Sequence, residues 1–457
     1  MIRKIFAVLA ALMMLLGCMG GCSDAPEKVH RVQFSEKPLT VFFGDQQLVV
    51  GNYLDKKFNS FMGDNAATYL AATIYATYAE RNPESYNYSA QTLMISGVKH
   101  SLANNILVEG KQVPDLLVIC LSDGDAQKYL NDAKYGQSFS PEKYRTNLQE
   151  LFELAKDVNT VLLAEPYTLS VDEVYRTETM SLYQTAAKEV AEAYENVVYM
   201  PMQDAVDTWV SAGRVTDDGI LNHIAQAELT ALMAKTLNLS PREGTVAPVE
   251  TVRLMCTGDS ITDCGRDRKL EEGVYLGNGY AALLNGYLQA MYPQTPTIVY
   301  NSGVSGNTLQ QLNSRWTKDV KAAEANHLVM MIGVNDAYNA SLSNANGANS
   351  SNSFKRTMTS LMNKYASSYE KIVLIAPFWV ADADDEFRTE YVNHYIEAVK
   401  AVAQEHENIT FVNMQAVLDT HYARHNNNYL ALTADHCHLN AEGHRILMAE
   451  VLRALGY

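Results

Sequence analysis

The stretch Val252-Arg253-Leu254-Met255-Cys256-Thr257-Gly258-Asp259-Ser260 decides how the second half of this chain folds. Its apolar run, residues 252–256 broken only by Arg253, is typical of a buried strand in a parallel sheet. The strand is predicted to end here and to place Ser260 on the turn that follows it. A serine in this place can act as a nucleophile if a general base, a group that orients the base and donors for an oxyanion lie downstream.

Short apolar runs alternate with helix-period stretches after this point. The predicted strands are 253–257, 297–300, 327–332, 371–376 and 409–412, and the amphipathic segments between them include 280–291, 354–365 and 389–405. Such alternation is typical of an α/β fold in which helices cover both faces of a parallel central sheet. Ligand sites in these sheets lie at the carboxyl ends of the strands, where Ser260 is predicted.

The same pattern already occurs in the first half of the chain. Residues 195–209 align with residues 407–421 without gaps, and 6 of these 15 positions are identical. Further matches follow in the same order: 41–46 with 255–260, 96–98 with 302–304, 117–125 with 328–336, 161–166 with 372–377, and 221–222 with 439–440. This order predicts a tandem duplication of whole domains, over residues 39–240 and 251–457, with residues 241–250 as the linker.

Length and composition agree with two domains. The chain has 457 residues, of which 47% are hydrophobic and 19% are charged, so each half has enough apolar material for a core. The net charge of −16 repels polyanions, and no basic patch interrupts it, so no nucleic acid partner is predicted. No set of histidines and carboxylates has the spacing of a metal site, so neither a metal nor a cofactor is predicted.

Four short blocks of the second half carry residues suited to acyl transfer: 258–260, 301–307, 333–336 and 435–440. His438 can take the proton of the Ser260 hydroxyl, and Asp435, three residues earlier, can hold the other imidazole N–H. The backbone N–H groups of Ser260 and Gly306 and the side-chain amide of Asn335 can donate to the oxyanion of a tetrahedral intermediate.

These blocks, in this order, resemble those of the GDSL or SGNH hydrolase family, which is named for a serine, a glycine, an asparagine and a histidine in such blocks. The resemblance extends from residue 252 to about residue 457. It implies a three-layer α/β/α domain with a serine nucleophile, a base and its orienting aspartate, and two further oxyanion donors: Ser260, His438, Asp435, Gly306 and Asn335. Because the first half shares the pattern, two SGNH-type domains in tandem are expected.

Smaller features resemble a branch of that family that contains acetylxylan esterases. They are the segments 265–268, 276–280, 305–308, 315–316 and 376–378. This resemblance implies a serine esterase that removes acetyl or other short acyl groups from carbohydrate hydroxyls through an acyl-serine intermediate. Its partner would then be an acetylated polysaccharide or oligosaccharide. One departure is Ala434, because related members often carry an aromatic residue before the catalytic aspartate.

Other functions fit the same residues. Two of these functions use the same acyl-transfer chemistry: hydrolysis of lipid esters or acyl thioesters, and transfer of an acyl group to a sugar. The third is a non-catalytic surface lipoprotein that binds glycans. A comparison of acetyl with octanoyl esters separates the first of these from the acetylesterase, because a small acyl pocket favours acetyl.

The first half has lost most of the residues that the chemistry needs. Gln46 stands at the position of the nucleophile, His100 at that of the oxyanion glycine, and Gly124 at that of the asparagine. Asp217 remains at the position of the aspartate, but Ile220 replaces the base. This half is therefore predicted to be a degenerate, non-catalytic domain that packs on its neighbour, binds glycan or spaces the catalytic domain from the membrane.

The first 22 residues are predicted to be a targeting segment. Their start is positively charged, and the apolar stretch 5–16 has the length of a signal peptide and is too short to span a membrane. A motif ending at Cys18 resembles a bacterial lipobox, with Cys22 as the alternative lipidation site. The resemblance implies an exported bacterial lipoprotein held at the cell surface by a lipid anchor alone, with residues 23–38 as the tether. An ordinary cleaved signal peptide is the alternative.

Several residues near the blocks allow a structural and a functional interpretation. Cys264 and Cys437 lie beside the predicted triad, and an exported protein permits a disulfide between them, although spacing does not establish it. His444 and Asp336 are interpreted as structural rather than catalytic. Three aromatic residues either pack or line a sugar pocket, and packing is the favoured interpretation: Trp316, Phe378 and Trp379.

Overall fold

The computed structural model describes residues 31–49, 53–55, 60–62, 65–269 and 274–457. The predicted signal peptide and both candidate lipidation sites, Cys18 and Cys22, lie outside these residues. Part of the predicted tether lies inside them, where Val32 is buried against the first sheet and the Ser35 N–H donates to the Asp115 carboxylate at 3.1 Å. None of the helices in the described ranges is long and apolar enough to cross a membrane.

Two five-stranded parallel sheets form the centre of the structure. The strands of the first half are β1 (Leu39–Gly44), β2 (Tyr53–Asp55), β3 (Ser60–Met62), β4 (Glu84–Asn87), β5 (Leu116–Cys120), β6 (Thr160–Ala164) and β7 (Val197–Met200). Those of the second half are β8 (Val252–Gly258), β9 (Thr297–Asn301), β10 (His327–Met331), β11 (Lys371–Ile375) and β12 (Ile409–Val412). The sheets have the orders β4-β1-β5-β6-β7 and β9-β8-β10-β11-β12, while β2 and β3 form a separate antiparallel pair.

Helices connect the strands and cover the sheets. Those of the first half are α1 (Gln46–Val49), α2 (Ala66–Tyr78), α3 (Ile95–Ser101), α4 (Gly124–Asn131), α5 (Pro141–Leu154), α6 (Ser181–Glu192), α7 (Gln203–Ser211) and α8 (His223–Thr236). Those of the second half are α9 (Ser260–Asp263), α10 (Tyr280–Met291), α11 (Leu309–Asp319), α12 (Val334–Leu342), α13 (Gly347–Tyr365), α14 (Asn393–Ala403), α15 (Met414–Arg424) and α16 (Ala441–Leu455).

Burial explains why the strands appear in the sequence as short apolar runs. The central strands β5 and β10 are buried at every residue, because helices cover both of their faces. Each sheet has one apolar cluster on either face. The prediction of an α/β fold with two tandem three-layer α/β/α domains is confirmed.

Side-chain hydrogen bonds recur at equivalent places in the two domains. Gln203 at the start of α7 and Gln415 at the start of α15 each accept from a backbone N–H and donate to an aspartate four residues later. An arginine binds the same aspartate in each domain, as Arg176–Asp207 and as Arg388–Asp419. Asn196 and Asn408 each donate to two carbonyl groups ahead of the neighbouring strand. These recurring bonds serve the fold that both domains share.

The register of the edge strands shows which residues are equivalent near the predicted site. Asn87 on β4 and Asn301 on β9 pair with matching residues of β1 and β8. Two residues after each asparagine, a backbone N–H donates to that asparagine's side chain. Further along, the first N–H of α3 donates to Asp125, and the first N–H of α11 donates to Asp336. Residues 87–95 are therefore equivalent to residues 301–309 without a gap.

This register corrects one sequence match. The similarity of residues 96–98 to residues 302–304 predicts His100 at the position of Gly306, whereas the structure places Thr92 there. His100 is an exposed residue inside α3. The match rested on three residues, 96–98, whose similarity to 302–304 is too short to compete with strand pairing and hydrogen bonds that extend over the whole segment.

Helices from both domains pack together between the two sheets. α2 and α8 of the first domain contact α10 of the second, and α16 contacts both α2 and α10. Their buried residues belong to one apolar cluster that continues onto the inner face of the second sheet. Ten of the 12 residues of α10 are buried. The first domain thus covers a helix that would otherwise present an apolar face to water.

Gly286 in α10 provides a test of this shared core. A Cβ atom at this position would lie 2.8 Å from Cγ of Tyr69 in α2. We expect Gly286→Leu to lower the free energy of unfolding by about 1–3 kcal/mol, the usual effect of overpacking a core. Urea denaturation measures the change, with Gln289→Leu on a less buried part of the same helix as control. Equal stability of both variants would contradict a shared core.

Candidate active site

Ser260 lies at the carboxyl end of β8, where the strand gives way to the one-turn helix α9. Asp259 caps this turn, since its carboxylate accepts the Ile261 N–H at 3.1 Å. Gly258 allows the strand to pass close to its neighbour, because a Cβ atom there would lie 2.1 Å from the Met331 carbonyl oxygen. Burial raises the pKa of Asp259 to about 7. The cap at Asp259 and the close packing at Gly258 hold Ser260 at the carboxyl end of the strand, where the sequence predicts it. Ser260 is half-buried there.

The structure brings the three predicted triad residues together. The Ser260 Oγ lies 2.9 Å from Nε2 of His438, and Nδ1 of His438 lies 2.8 Å from Oδ2 of Asp435. Because a carboxylate only accepts, the imidazole proton belongs on Nδ1, which leaves Nε2 as the acceptor for the serine hydroxyl. The arrangement is that of a nucleophile, a base and a group that orients the base.

The loop that carries the base is closed on itself. Thr433 and Leu439 form an antiparallel bridge, and the Ala434 N–H donates to the His438 carbonyl at 2.8 Å. The other carboxylate oxygen of Asp435 accepts the His438 N–H at 2.8 Å. Burial alone would raise the pKa of Asp435, but the bonds from the His438 N–H and ring lower the pKa overall. The carboxylate therefore stays charged beside the base.

Two of the predicted oxyanion donors lie in adjacent segments. Gly306 has φ +78°, in the left-handed region that favours glycine. Asn335, in the first turn of α12, donates one side-chain amide N–H to the Asn307 carbonyl at 3.1 Å. A side-chain amide has two N–H groups, so the second can donate to an oxyanion. Asp336 accepts the Leu309 N–H at 3.0 Å, so it joins α12 to α11. The structure thus supports the structural interpretation of Asp336.

His444 lies behind the nucleophile and is 2% exposed. The Tyr280 N–H donates to its Nδ1 at 3.3 Å, which leaves the ring proton on Nε2, 3.3 Å from the Cys264 Sγ. Burial, with a smaller effect from His438, lowers the pKa of His444 to about 3. A neutral, enclosed imidazole between α10 and α9 has a structural role.

The pKa of His444 predicts how stability depends on pH. Unfolding returns its pKa to the ordinary value of 6.5, so between pH 3 and 6.5 the unfolded chain binds a proton that the folded chain does not. Stability from this group is therefore lost as pH falls, with a slope of up to about 1.4 kcal/mol per pH unit. Urea unfolding of wild type and His444→Gln from pH 4 to 6.5 should show the shallower slope in the variant. Identical slopes would show that the folded protein accepts the proton.

The two cysteines beside the triad are free thiols in the structure, so the disulfide that the sequence allowed between Cys264 and Cys437 is not formed. The physical reason is that the Cys264 thiol is engaged elsewhere. It donates to the Ile261 carbonyl at 3.2 Å and faces His444. Burial raises the pKa of the Cys264 thiol to about 12.

The aromatic residues near the site divide into two groups. Trp316 and Phe378 are fully buried, which supports the interpretation that they pack in the core. Trp379 is half-buried, and its ring stacks on His436 with centroids 5.2 Å apart. His436 also stacks on Tyr429 with centroids 3.7 Å apart, and its Nδ1 lies 2.7 Å from the Val380 carbonyl oxygen. The stack fixes the loop between Asp435 and His438.

The first domain carries different residues at the equivalent places. Gln46 begins α1 where Ser260 begins α9. The antiparallel bridge that closes the second domain's loop recurs between residues 215 and 221 and places Asp217 and Ile220 at the positions of the aspartate and the base. Thr92 and Gly124 stand at the positions of the two further oxyanion donors.

Segments 265–268 and 315–316 were singled out by their resemblance to a family branch, but the sequence did not predict that their charged side chains and that of Asp263 lie beneath the loop that contains Gly306. Asp263 is buried and accepts from Ser305, and Arg315 donates to two carbonyl groups and one side chain of the same region. The available signal was the density of charge directly after the serine block, at Asp263, Arg266 and Arg268.

Known proteins resemble the second half of this chain. Residues 256–446 match the family described as GDSL-like lipase/acylhydrolase. An acetylxylan esterase from Geobacillus stearothermophilus is 35% identical over 214 residues, which are 45% of this chain and 94% of that protein.

Two solved structures are similar to about half of this chain. The crystal structure of an acetylxylan esterase from Geobacillus stearothermophilus is 33% identical over 47% of this chain and 97% of that one, with a TM-score of 0.42. An alpha/beta hydrolase enzyme from the metagenome of Lake Arreo, Spain, is 29% identical over 46% and 97% of the two chains, also with a TM-score of 0.42. The sequence similarity, which spans nearly the whole length of the curated relative, shows that this chain belongs to the GDSL-like lipase/acylhydrolase family.

Proposed function

We propose that the second domain is a serine esterase that removes acetyl groups from carbohydrate hydroxyls. The observation that carries the proposal is the continuous chain of contacts from Ser260 through His438 to Asp435 at the carboxyl end of the sheet. Because the chain belongs to a family of lipases and acylhydrolases, we interpret these contacts as those of an ester hydrolase. The acetyl and carbohydrate specificity is supported by the similarity to an acetylxylan esterase.

The reaction follows from the contacts. The Ser260 Oγ attacks the acyl carbon while Nε2 of His438 takes the hydroxyl proton, and Asp435 stabilises the imidazolium that forms. The N–H groups of Ser260 and Gly306 and the Asn335 amide donate to the oxyanion. His438 then gives the proton to the departing sugar oxygen, which leaves acetyl-Ser260. A water molecule, deprotonated by His438, releases acetate by the same steps in reverse.

The acetyl specificity is tested with the lipid-free protein. We expect faster hydrolysis of 4-nitrophenyl acetate than of 4-nitrophenyl octanoate, together with release of acetate from acetylated xylo-oligosaccharides. Preference for octanoate would instead indicate a lipid esterase of the same family. No hydrolysis of any ester would contradict the proposal as a whole.

We further propose that the first domain, within residues 39–240, does not hydrolyse esters. The amide of Gln46 cannot act as an acyl-transfer nucleophile, and Ile220 cannot accept a proton. The packing of α2 and α8 against α10 supports a structural role for this domain.

The chain is also proposed to be a surface lipoprotein, on the basis of the motif that ends at Cys18. Metabolic labelling with a fatty acid tests this. Label should appear on the wild type and disappear in Cys18→Ala, whereas loss only in Cys22→Ala would identify the alternative site. Wild-type protein without label would contradict a lipid anchor.

A further inference from the structure

A comparison of the two domains distinguishes hydrogen bonds that serve the shared fold from hydrogen bonds that serve the site. Bonds that recur in both domains include those of Gln203 and Gln415 and those of Asp125 and Asp336. A second group of bonds is described in the second domain alone, and it converges on residues 302–307, here called the oxyanion loop. The loop contains Gly306, and its conformation decides where the Gly306 N–H points.

Asp263 ties the oxyanion loop to the helix that carries the nucleophile. It is the last residue of α9, three positions after Ser260, and is 1% exposed. Its Oδ2 accepts the backbone N–H and the hydroxyl of Ser305, each at 2.8 Å, and a guanidinium N–H of Arg268 at 2.8 Å. Ser305 directly precedes Gly306. One carboxylate oxygen at the end of the nucleophile helix therefore binds the residue that directly precedes the oxyanion donor.

Arg315 holds the same loop from its other side. This arginine lies in α11, and its side chain is 14% exposed. Nε donates to Oδ1 of Asn307 at 2.8 Å, Nη1 to the Ser302 carbonyl at 2.6 Å and Nη2 to the Gly258 carbonyl at 3.1 Å. The guanidinium thus fixes both ends of the oxyanion loop and the strand end that precedes the nucleophile.

The equivalent positions of the first domain have residues that cannot make these bonds. Val49 ends α1 where Asp263 ends α9, and Ser101 stands in α3 at the position of Arg315 in α11. Thr92, at the position of Gly306, does not adopt a positive φ. The first domain keeps its fold without this set of contacts, so the fold does not require them.

We propose that Asp263 and Arg315 are positioning residues that hold the Gly306 N–H in place relative to Ser260 for oxyanion stabilisation. The proposal rests on the esterase activity proposed above. Two further bonds to the Gly303 carbonyl, from Nε of Arg266 at 2.8 Å and from Nη1 of Arg268 at 3.2 Å, support the same loop.

The charge state of Asp263 is consistent with this role. Burial raises its pKa, but the bonds from Ser305 and Arg268 outweigh burial and lower the pKa below the ordinary value. The carboxylate is therefore ionised at neutral pH and accepts charge-assisted hydrogen bonds, which are shorter and stronger than neutral ones.

The test uses the full chain and 4-nitrophenyl acetate, with Asp263→Asn as the first variant. The amide keeps the size of the side chain but loses its charge, so the loop is held less firmly. We expect kcat to fall by about 10- to 100-fold, less than the 10²–10³ of a deleted oxyanion donor, with KM unchanged. Binding of a phenylboronic acid, whose serine adduct places an oxygen in the oxyanion hole, should weaken by the same factor as kcat/KM.

Asp419→Asn is the matched control, because Asp419 belongs to the bonds that recur in both domains. We expect it to lower the melting temperature while kcat and boronate affinity stay unchanged. Equal losses of kcat in Asp263→Asn and Asp419→Asn would overturn the proposal, as would a loss in Asp263→Asn confined to KM. Absence of activity in the wild type would instead refute the esterase assignment.

Arg315→Lys provides a second variant if Asp263→Asn does not fold. A lysine keeps the charge but cannot hold three acceptors in the fixed geometry of a guanidinium. We expect kcat to fall by about tenfold, since the donor is displaced rather than deleted. Wild-type kcat and boronate affinity in folded Arg315→Lys would overturn the proposal.

Discussion

Ser260→Ala is expected to lower kcat for 4-nitrophenyl acetate by about 10⁴- to 10⁶-fold, because the variant cannot form an acyl-enzyme. The fold should survive, since within the part of the chain that the structure describes the Ser260 hydroxyl bonds to His438 alone, on a half-exposed loop. The turn itself is held by Asp259 and by the strand pairing of β8 with β10. Steady-state kinetics on the purified full chain, with the melting temperature measured in parallel, gives the loss.

The equivalent position of the first domain supplies a matched control for this prediction. Gln46→Ala removes the side chain at the equivalent position of the first domain and should leave kcat unchanged. If Ser260→Ala retained most of the activity, or if Gln46→Ala abolished it, the nucleophile would have been assigned to the wrong residue.

His438→Ala is expected to reduce kcat nearly as much as Ser260→Ala, and the double variant should lose no more than either single one. The reason is that a nucleophile and its base act as one unit, so their effects do not add. Asp435→Ala should cost less, about 10⁴-fold, because the imidazole retains its contact with Ser260 while it loses the group that fixes its tautomer. The half-exposed position of Asp435 also lets water replace part of its interaction.

The order of the kcat values of these variants tests the roles assigned to the three residues. Single and double variants are compared at saturating substrate, where kcat reports the chemical steps. Additive losses in the Ser260→Ala, His438→Ala double variant would indicate two independent contributions and would contradict the proton transfer proposed between them. A loss in Asp435→Ala larger than that in His438→Ala would contradict the assigned roles.

Much of the fold was predictable because it depends on local pattern. β8 and β10 lie inside the second sheet and are buried apart from the partly exposed Arg253, so their sequences are mostly apolar. The similarity of the two halves was visible for a related reason, because the segments around Gln203 and Gln415 make hydrogen bonds that recur in both domains. Patterns of this kind can be recognised without knowing which distant segments of the chain contact each other.

The triad residues were also predictable, since their chemistry restricts the residue types. Asp435 and His438 are three residues apart, so one closed loop can orient both. Ser260 was identified by the turn after its strand. The distance between the serine and its base depends on the whole sheet, and only the structure shows that it is 2.9 Å.

The remaining features depend on contacts between distant segments. Asp263 has no sequence neighbour that reveals its partner, because Ser305 lies 42 residues away. The misplacement of His100 has the same origin, since the register of an edge strand is set by pairing rather than by short similarities. The packing of Gly286 against Tyr69 could not be predicted, because a glycine within a helix has many possible neighbours.

We propose that one serine, Ser260 in the second of the two similar domains, is the nucleophile of this chain. Reaction of the full chain with a fluorophosphonate, followed by intact-protein and peptide mass spectrometry, tests it most directly. We expect a single adduct per chain, located on Ser260 and absent from Ser260→Ala. Two adducts, or one that persists in Ser260→Ala, would contradict it.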